Sequence, residues 1–114
     1  MHVNVRKQGS VVIVDLTGRL VGGLGDEILR KVVNELLAEN WTKILLNLSG
    51  VTAIDSTGIG ELVASHKTAE HLGASIRIFN LNERVKKALH ISRLLPVFQV
   101  YDSERLGIAS FGVS

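Results

Sequence analysis

The stretch Leu46-Asn47-Leu48-Ser49-Gly50-Val51-Thr52-Ala53-Ile54-Asp55-Ser56-Thr57-Gly58-Ile59-Gly60 constrains this chain more than any other. Lys43 to Leu48 leads into it as an almost continuous apolar run, as in a buried strand. Downstream, Ile59, Leu62, Val63 and Ala69 recur at helical spacing. Between the two lies Asp55-Ser56-Thr57-Gly58, rich in residues that cap helices. The pattern predicts a buried strand that passes through a polar turn into a helix starting near Ser56, with the Ser56 hydroxyl held outward at the helix N-terminus.

The flanking sequence alternates strands with helices. Val3 to Lys7 and Val11 to Thr17 are short β-branched runs separated by Gln8-Gly9-Ser10, which fits a hairpin. After the glycine-rich connection Gly18 to Gly25, the residues Ile28, Leu29, Val32, Val33, Leu36 and Leu37 form an apolar stripe opposite Arg30, Lys31, Asn34 and Glu35. Asp26 and Glu27 suit the positive end of that helix, and Asn40 suits a left-handed cap at its other end. The strand Lys43 to Leu48 and the helix from Ser56 to Leu72 follow, the latter ended by Gly73. Ser75 to Phe79 reads as a strand, Asn82 caps a short helix bearing Val85, Ala88 and Leu89, and Pro96 interrupts the chain before an edge strand Val97 to Tyr101. Asp102 or Ser103 then caps a terminal helix through Ala109, within which Gly107 costs about 1 kcal/mol relative to Ala. The expected fold class is α/β: a mixed central sheet with an N-terminal antiparallel hairpin, right-handed crossovers and about four helices.

Composition narrows the function. The 114 residues, 46% of them hydrophobic, are enough for one core, so residues 1–114 are read as one domain. The 13 basic and 11 acidic residues are spread along the chain, and a net charge of +2 without a concentrated patch does not point to nucleic acid. The absence of cysteine excludes a disulfide framework and thiolate metal sites and fits a reducing compartment. No apolar run approaches the roughly 18 residues of a membrane span, and the first residues lack a secretory h-region, so a soluble cytoplasmic protein is expected.

Asp55 and Ser56 admit a plain reading as helix caps. Gly58 and Gly60, poor helix formers in a first turn, suggest in addition that backbone beside Ser56 is left uncovered for a partner. The segment Leu46 to Gly60 closely resembles the signature of the STAS family, the anti-sigma factor antagonist domains, and the element order extends the resemblance over roughly Val11 to Asp102. The resemblance implies that Ser56 is the phosphoryl acceptor and that Asp55, Ser56, Thr57, Gly58, Ile59 and Gly60 form the partner-binding surface. Thr57 is the rival acceptor, with a plain role as a first-turn hydroxyl bonded to local backbone.

The resemblance also implies a mechanism. The unmodified antagonist binds an anti-sigma factor that is itself an ATP-dependent serine kinase, and so frees the sigma factor; a phosphatase reverses the modification. No cofactor, metal or catalysis by the chain itself is implied. Gly18-Arg19-Leu20-Val21 resembles the family's Gly-x-Leu-Asp element, but Val21 stands where Asp is usual, so this loop lacks its acidic contribution near the acceptor. The alternatives are a non-switching STAS subunit of a transport or stressosome complex and, from another class, a small hydrolase using Ser56.

Sharper motifs fail on their chemistry. Gly18-Arg19-Leu20-Val21-Gly22-Gly23 has the glycine spacing of a P-loop, but Leu24-Gly25 replaces the Lys and Ser/Thr that reach phosphates and Mg²⁺. His66 and His71 fall on different helix faces, and His2 and His90 have no ligand cluster nearby, so packing or surface roles are expected for all of them. Asp55-Ser56-Thr57-Gly58 is not the Gly-x-Ser-x-Gly elbow of hydrolases, and no His is placed as its base.

Overall fold

A computed structural model describes residues 1–112. Its elements are β1 (His2–Gln8), β2 (Val11–Leu20), α1 (Gly25–Ala38), β3 (Lys43–Ile54), α2 (Ser56–His71), β4 (Ser75–Phe79), α3 (Glu83–Ile91), a 3₁₀ turn (Leu95–Val97), β5 (Val100–Tyr101) and α4 (Glu104–Ser110). The strands form a five-stranded sheet in the order β1-β2-β3-β4-β5, antiparallel at β1·β2 and parallel thereafter. The expected α/β fold with a mixed sheet and an N-terminal hairpin is therefore observed. The hairpin turns at Gly9-Ser10, where Gly9 takes φ +61°, the conformation a primed turn requires of its first central residue.

Strand alternation sorts the side chains into two layers. Val12, Val14 and Leu16 of β2, Ile44, Leu46 and Leu48 of β3, and Ile76 and Ile78 of β4 pack under α1, α2 and α3 with Leu29, Val33, Leu62, Val85 and Leu89. The alternate residues Val11, Ile13, Leu45 and Phe79 form a smaller cluster beneath α4, joined by Ile108 and Phe111. Arg77 reinforces that cover: its guanidinium lies over the Phe111 ring, 4.5 Å from the centroid, and donates to the Ser110 carbonyl. Gly107 is buried against Leu45, to which an added Cβ would come within 2.9 Å. Packing, not helix propensity, decides that position.

Three strand boundaries differ from the sequence expectation. β2 continues past Thr17 to Leu20, into the expected Gly18 to Gly25 connection, because Gly18, Arg19 and Leu20 pair with Val51, Ala53 and Ile54 of β3. β3 runs on past Leu48 to Ile54, because two register shifts against β2 place extra β3 residues opposite the intervals Asp15/Thr17 and Gly18/Arg19. Gly50 permits the first shift, since an added Cβ there would lie 2.9 Å from the Leu16 carbonyl oxygen. Such bulges leave carbonyls unpaired, and Asn82 answers them: its Nδ2 donates to Val51 O at 2.8 Å and more weakly to Ser49 O at 3.3 Å. At the β5 edge of the sheet, only Val100–Tyr101 of the expected strand pairs with β4. Val97 belongs instead to the 3₁₀ turn, whose first turn accommodates Pro96 because proline's fixed φ suits it and its missing N–H is not needed there.

Candidate functional site

The site is the turn from β3 into α2. Strand pairing delivers Ile54 to the C-terminal end of the central strand β3, opposite Leu20 at the end of β2, and the chain then bends at Asp55, an extended N-cap with φ −121° and ψ −177°. The Asp55 carboxylate accepts from the Gly58 amide at 2.8 Å through Oδ1, the expected capping bond, and from the Gly22 amide at 3.0 Å through Oδ2. It thereby ties the β2–α1 connection to the first turn of α2. The Gly22 N–H above all, followed by the Gly58 N–H, holds the Asp55 carboxyl below the usual carboxylate range, so it is ionised at neutral pH.

Ser56 is the first residue of α2 and is exposed, as the sequence predicts for its position. Its hydroxyl takes part in none of the side-chain hydrogen bonds found among the described residues, and both oxygens of the neighbouring Asp55 are already engaged by backbone amides. Thr57 is exposed too, but its side chain faces Gly22 closely enough that an added Cβ there would lie 3.0 Å from Thr57 Cβ.

The six residues expected to form a partner-binding surface share one turn but not one exposure. Asp55, Ser56, Thr57 and Gly60 are exposed, while Gly58 and Ile59 are buried. The expectation that Gly58 leaves its backbone uncovered is corrected: a Cβ there would collide with the Leu20 carbonyl, so glycine at this position lets α2 pack on the end of β2. Ile59, 8% exposed, belongs to the core. Only Gly60 is open, with no atom within 4 Å of an added Cβ.

Two contributions escaped the sequence reading. Gly22 supplies an amide to Asp55 and makes room for Thr57; the Gly22-Gly23 pair in a loop was its only trace. A charge network binds α1 to α2 behind the turn: Glu61, buried on α2, accepts from Arg30 Nε at 2.9 Å and from Ser65 Oγ at 3.0 Å, and Asp26 lies 3.7 Å from Arg30 Nη2. Asp26 also accepts from the Gly23 amide at 3.0 Å, which fixes the loop carrying Gly22.

The surface charge also departs from expectation. Arg84, Lys86 and Lys87 on α3 and Arg93 just after it are all exposed, so the basic residues are not evenly spread. The histidines lie apart from the turn. His66 is largely buried and packs on Phe98, with ring centroids 5.5 Å apart, while His2, His71 and His90 are exposed. Among the described residues no helix is long and apolar enough to cross a membrane.

A five-stranded mixed sheet whose third strand turns through a capped Asp-Ser-Thr-Gly segment into a helix is the architecture of the STAS domain. The family profile of that domain matches residues 2–106, and the chain belongs to the STAS domain family. Among curated proteins it is similar to one from Thermotoga neapolitana described as a candidate anti-sigma factor antagonist, with 36% identity over 72 residues, 63% of this chain and 64% of that protein. The chain thus spans just under two thirds of that relative. It is also 23% identical over 104 residues to the anti-sigma F factor antagonist of Paenibacillus polymyxa, covering 91% of this chain and 89% of that one. Among solved structures, a candidate anti-sigma factor antagonist from Thermotoga maritima superposes with a TM-score of 0.85 at 26% identity, over 95% of this chain and 92% of that one.

Proposed function

We propose that this protein is an anti-sigma factor antagonist that works as a phosphorylation-controlled binding switch, with Ser56 as the acceptor and residues 1–114 acting as one STAS domain. The observation that carries the reading is the Ser56 hydroxyl, exposed and uncommitted on the first residue of α2, beside an Asp55 whose carboxylate is held by the Gly22 and Gly58 amides. Relatives described as antagonists support the class of partner.

In the unphosphorylated state the turn docks on an anti-sigma factor that is also an ATP-dependent serine kinase, and the sigma factor is released. Phosphorylation then proceeds by attack of Ser56 Oγ on the γ-phosphorus of ATP held by that partner. The bond to ADP breaks, and the hydroxyl proton leaves to a base of the kinase, because Asp55 is turned to its amides. The product carries about −1.5 to −2 charges at the start of α2. The helix N-terminus tolerates an anion and the Asp55 cap does not involve the Ser56 hydroxyl, so the fold survives. A partner surface fitted to a neutral hydroxyl meets charge and bulk, and docking is lost. A phosphatase restores the binding form. The chain itself carries out no catalysis, and it acts in the cytoplasm, where ATP and the sigma factor are found.

The test combines the protein with its cognate kinase and ATP. One phosphate is expected on Ser56 and none in Ser56→Ala, with Ser56→Asp weakening kinase binding and barely changing the melting temperature. Phosphate mapped to Thr57 would overturn the acceptor. Undiminished kinase binding by Ser56→Asp would instead favour constitutive docking.

A further inference from the structure

The exposed face of α3 continues the docking turn. A shallow groove of about 280 Å³ is lined on one side by Ala53 and Ile54, which lead directly into Asp55 and Ser56, and on the other by Arg84, Lys87, Ala88 and Ile91 of α3. The three α3 residues Arg84, Lys87 and Ile91 recur at helical spacing and so share a face, while Val85 and Leu89 of the same helix are buried in the core. Ile91 is 69% exposed, the most exposed large hydrophobic among the described residues. Residues 83–93 hold the four cations Arg84, Lys86, Lys87 and Arg93 against the single carboxylate Glu83, although the whole chain nets only +2. None of the ion pairs among the described residues uses any of these cations.

We infer that this groove is a second contact for the protein partner that docks on the Ser56 turn, and that it takes an acidic segment of that partner with an apolar residue set against Ile91. The inference rests on the reading of Ser56 as the docking site. A partner that covers Ser56 stands two residues along the chain from the groove wall at Ile54, so the two surfaces are covered together. The charge fixes the chemistry of the occupant, since unpaired cations at an interface select carboxylates and raise the association rate through steering. A lipid surface suits the face less well, because membrane-bound helices need a broad apolar face and the apolar face of α3 is already spent on the core.

The experiment measures binding of the serine kinase that modifies Ser56, by calorimetry at low and high salt, to the parent, to Ser56→Asp, to the double variant Arg84→Glu/Lys87→Glu, and to Lys31→Glu as an exposed charge reversal on α1. The double variant is expected to bind about ten- to thirtyfold more weakly at low salt, with a shallower salt dependence and an unchanged melting temperature. Lys31→Glu is expected to bind like the parent. Reversing acidic residues of the kinase is expected to restore binding of the double variant. Binding that responds to Ser56→Asp but not to the double variant overturns the groove inference and leaves the Ser56 reading intact; no response to Ser56→Asp overturns that reading itself. Loss of binding to phosphatidylserine vesicles in the double variant, with kinase binding unchanged, would assign the face to a membrane and also overturn the inference.

Discussion

The amide of Gly22 donates to Asp55 Oδ2 at 3.0 Å, so the loop after β2 and the first turn of α2 are held by one carboxylate. The same glycine leaves space for Thr57, which an added Cβ would approach to 3.0–3.1 Å. Gly22→Ala therefore has to displace the Thr57 side chain, and with it the geometry around Ser56. Slower phosphorylation of Ser56 is expected, with a melting temperature close to the parent's because both positions face solvent. Initial phosphorylation rates set beside thermal melts check this; an unchanged rate would show that the loop does not shape the acceptor.

Gly58 and Gly60, two residues apart, are expected to respond oppositely to alanine. At Gly58 the methyl group meets the Leu20 carbonyl in a buried site, and a loss of about 3 kcal/mol or more is expected. At Gly60 the methyl group enters open space and φ is not positive, so the better helix former is expected to add up to about 1 kcal/mol. Denaturant melts measure both. A stabilised Gly60→Ala that binds its partner as well as the parent would remove Gly60 from the docking surface.

Asn82 works at both ends of its amide. Oδ1 accepts from the Val85 amide at 2.9 Å and caps α3, while Nδ2 donates to Val51 O at 2.8 Å across the bulged part of β3. Asn82→Ala is expected to cost about 1–3 kcal/mol, the range that covers a lost cap and a carbonyl left unpaired. Asn82→Asp keeps the cap and removes the donor. A stability for Asn82→Asp well below the parent's, measured by urea unfolding, is the signature of the β3 contact; parental stability would mean that the cap alone matters.

Asp15 supplies an acid-sensitive bolt on the α4 side of the sheet. Its carboxylate accepts from Arg6 Nε at 2.7 Å and Nη2 at 3.0 Å and from Asn47 Nδ2 at 2.9 Å, and Arg6 also reaches Glu104 Oε1 at 2.6 Å. The hydrogen bond from Arg6 is the main reason that the Asp15 pKa lies below its ordinary value. A carboxyl with a lowered folded pKa stabilises fully above the unfolded value near ~3.9 and loses that contribution as pH falls through the folded pKa. The melting temperature is thus expected to hold between about pH 7 and 5 and to drop below about 4. Asp15→Asn is expected to start lower at pH 7 and to drop less steeply in acid. Parallel curves would exclude Asp15 from the acid transition.

The order of elements, the hairpin and the strand-turn-helix passage at Ser56 were determined by sequence alone, because each rests on local chemistry. Periodicity assigned the helices, Gly9, Asn40 and Gly73 take the positive φ that their turns and caps need, and Asp55, Asn82 and Ser103 cap the helices they precede. What only the tertiary structure decided depends on contacts between distant segments. Ser49 and Gly50 look like the end of a strand, yet β3 continues because β2 and Asn82 satisfy the bulged backbone from 30 or more residues away. Gly58 looks like a glycine that opens the backbone to a partner, yet Leu20 sits against it. Gly22 carries no side chain to announce that its amide completes Asp55. Backbone donors and the space a missing Cβ leaves have no one-dimensional pattern; they acquire meaning only when another part of the chain is brought against them.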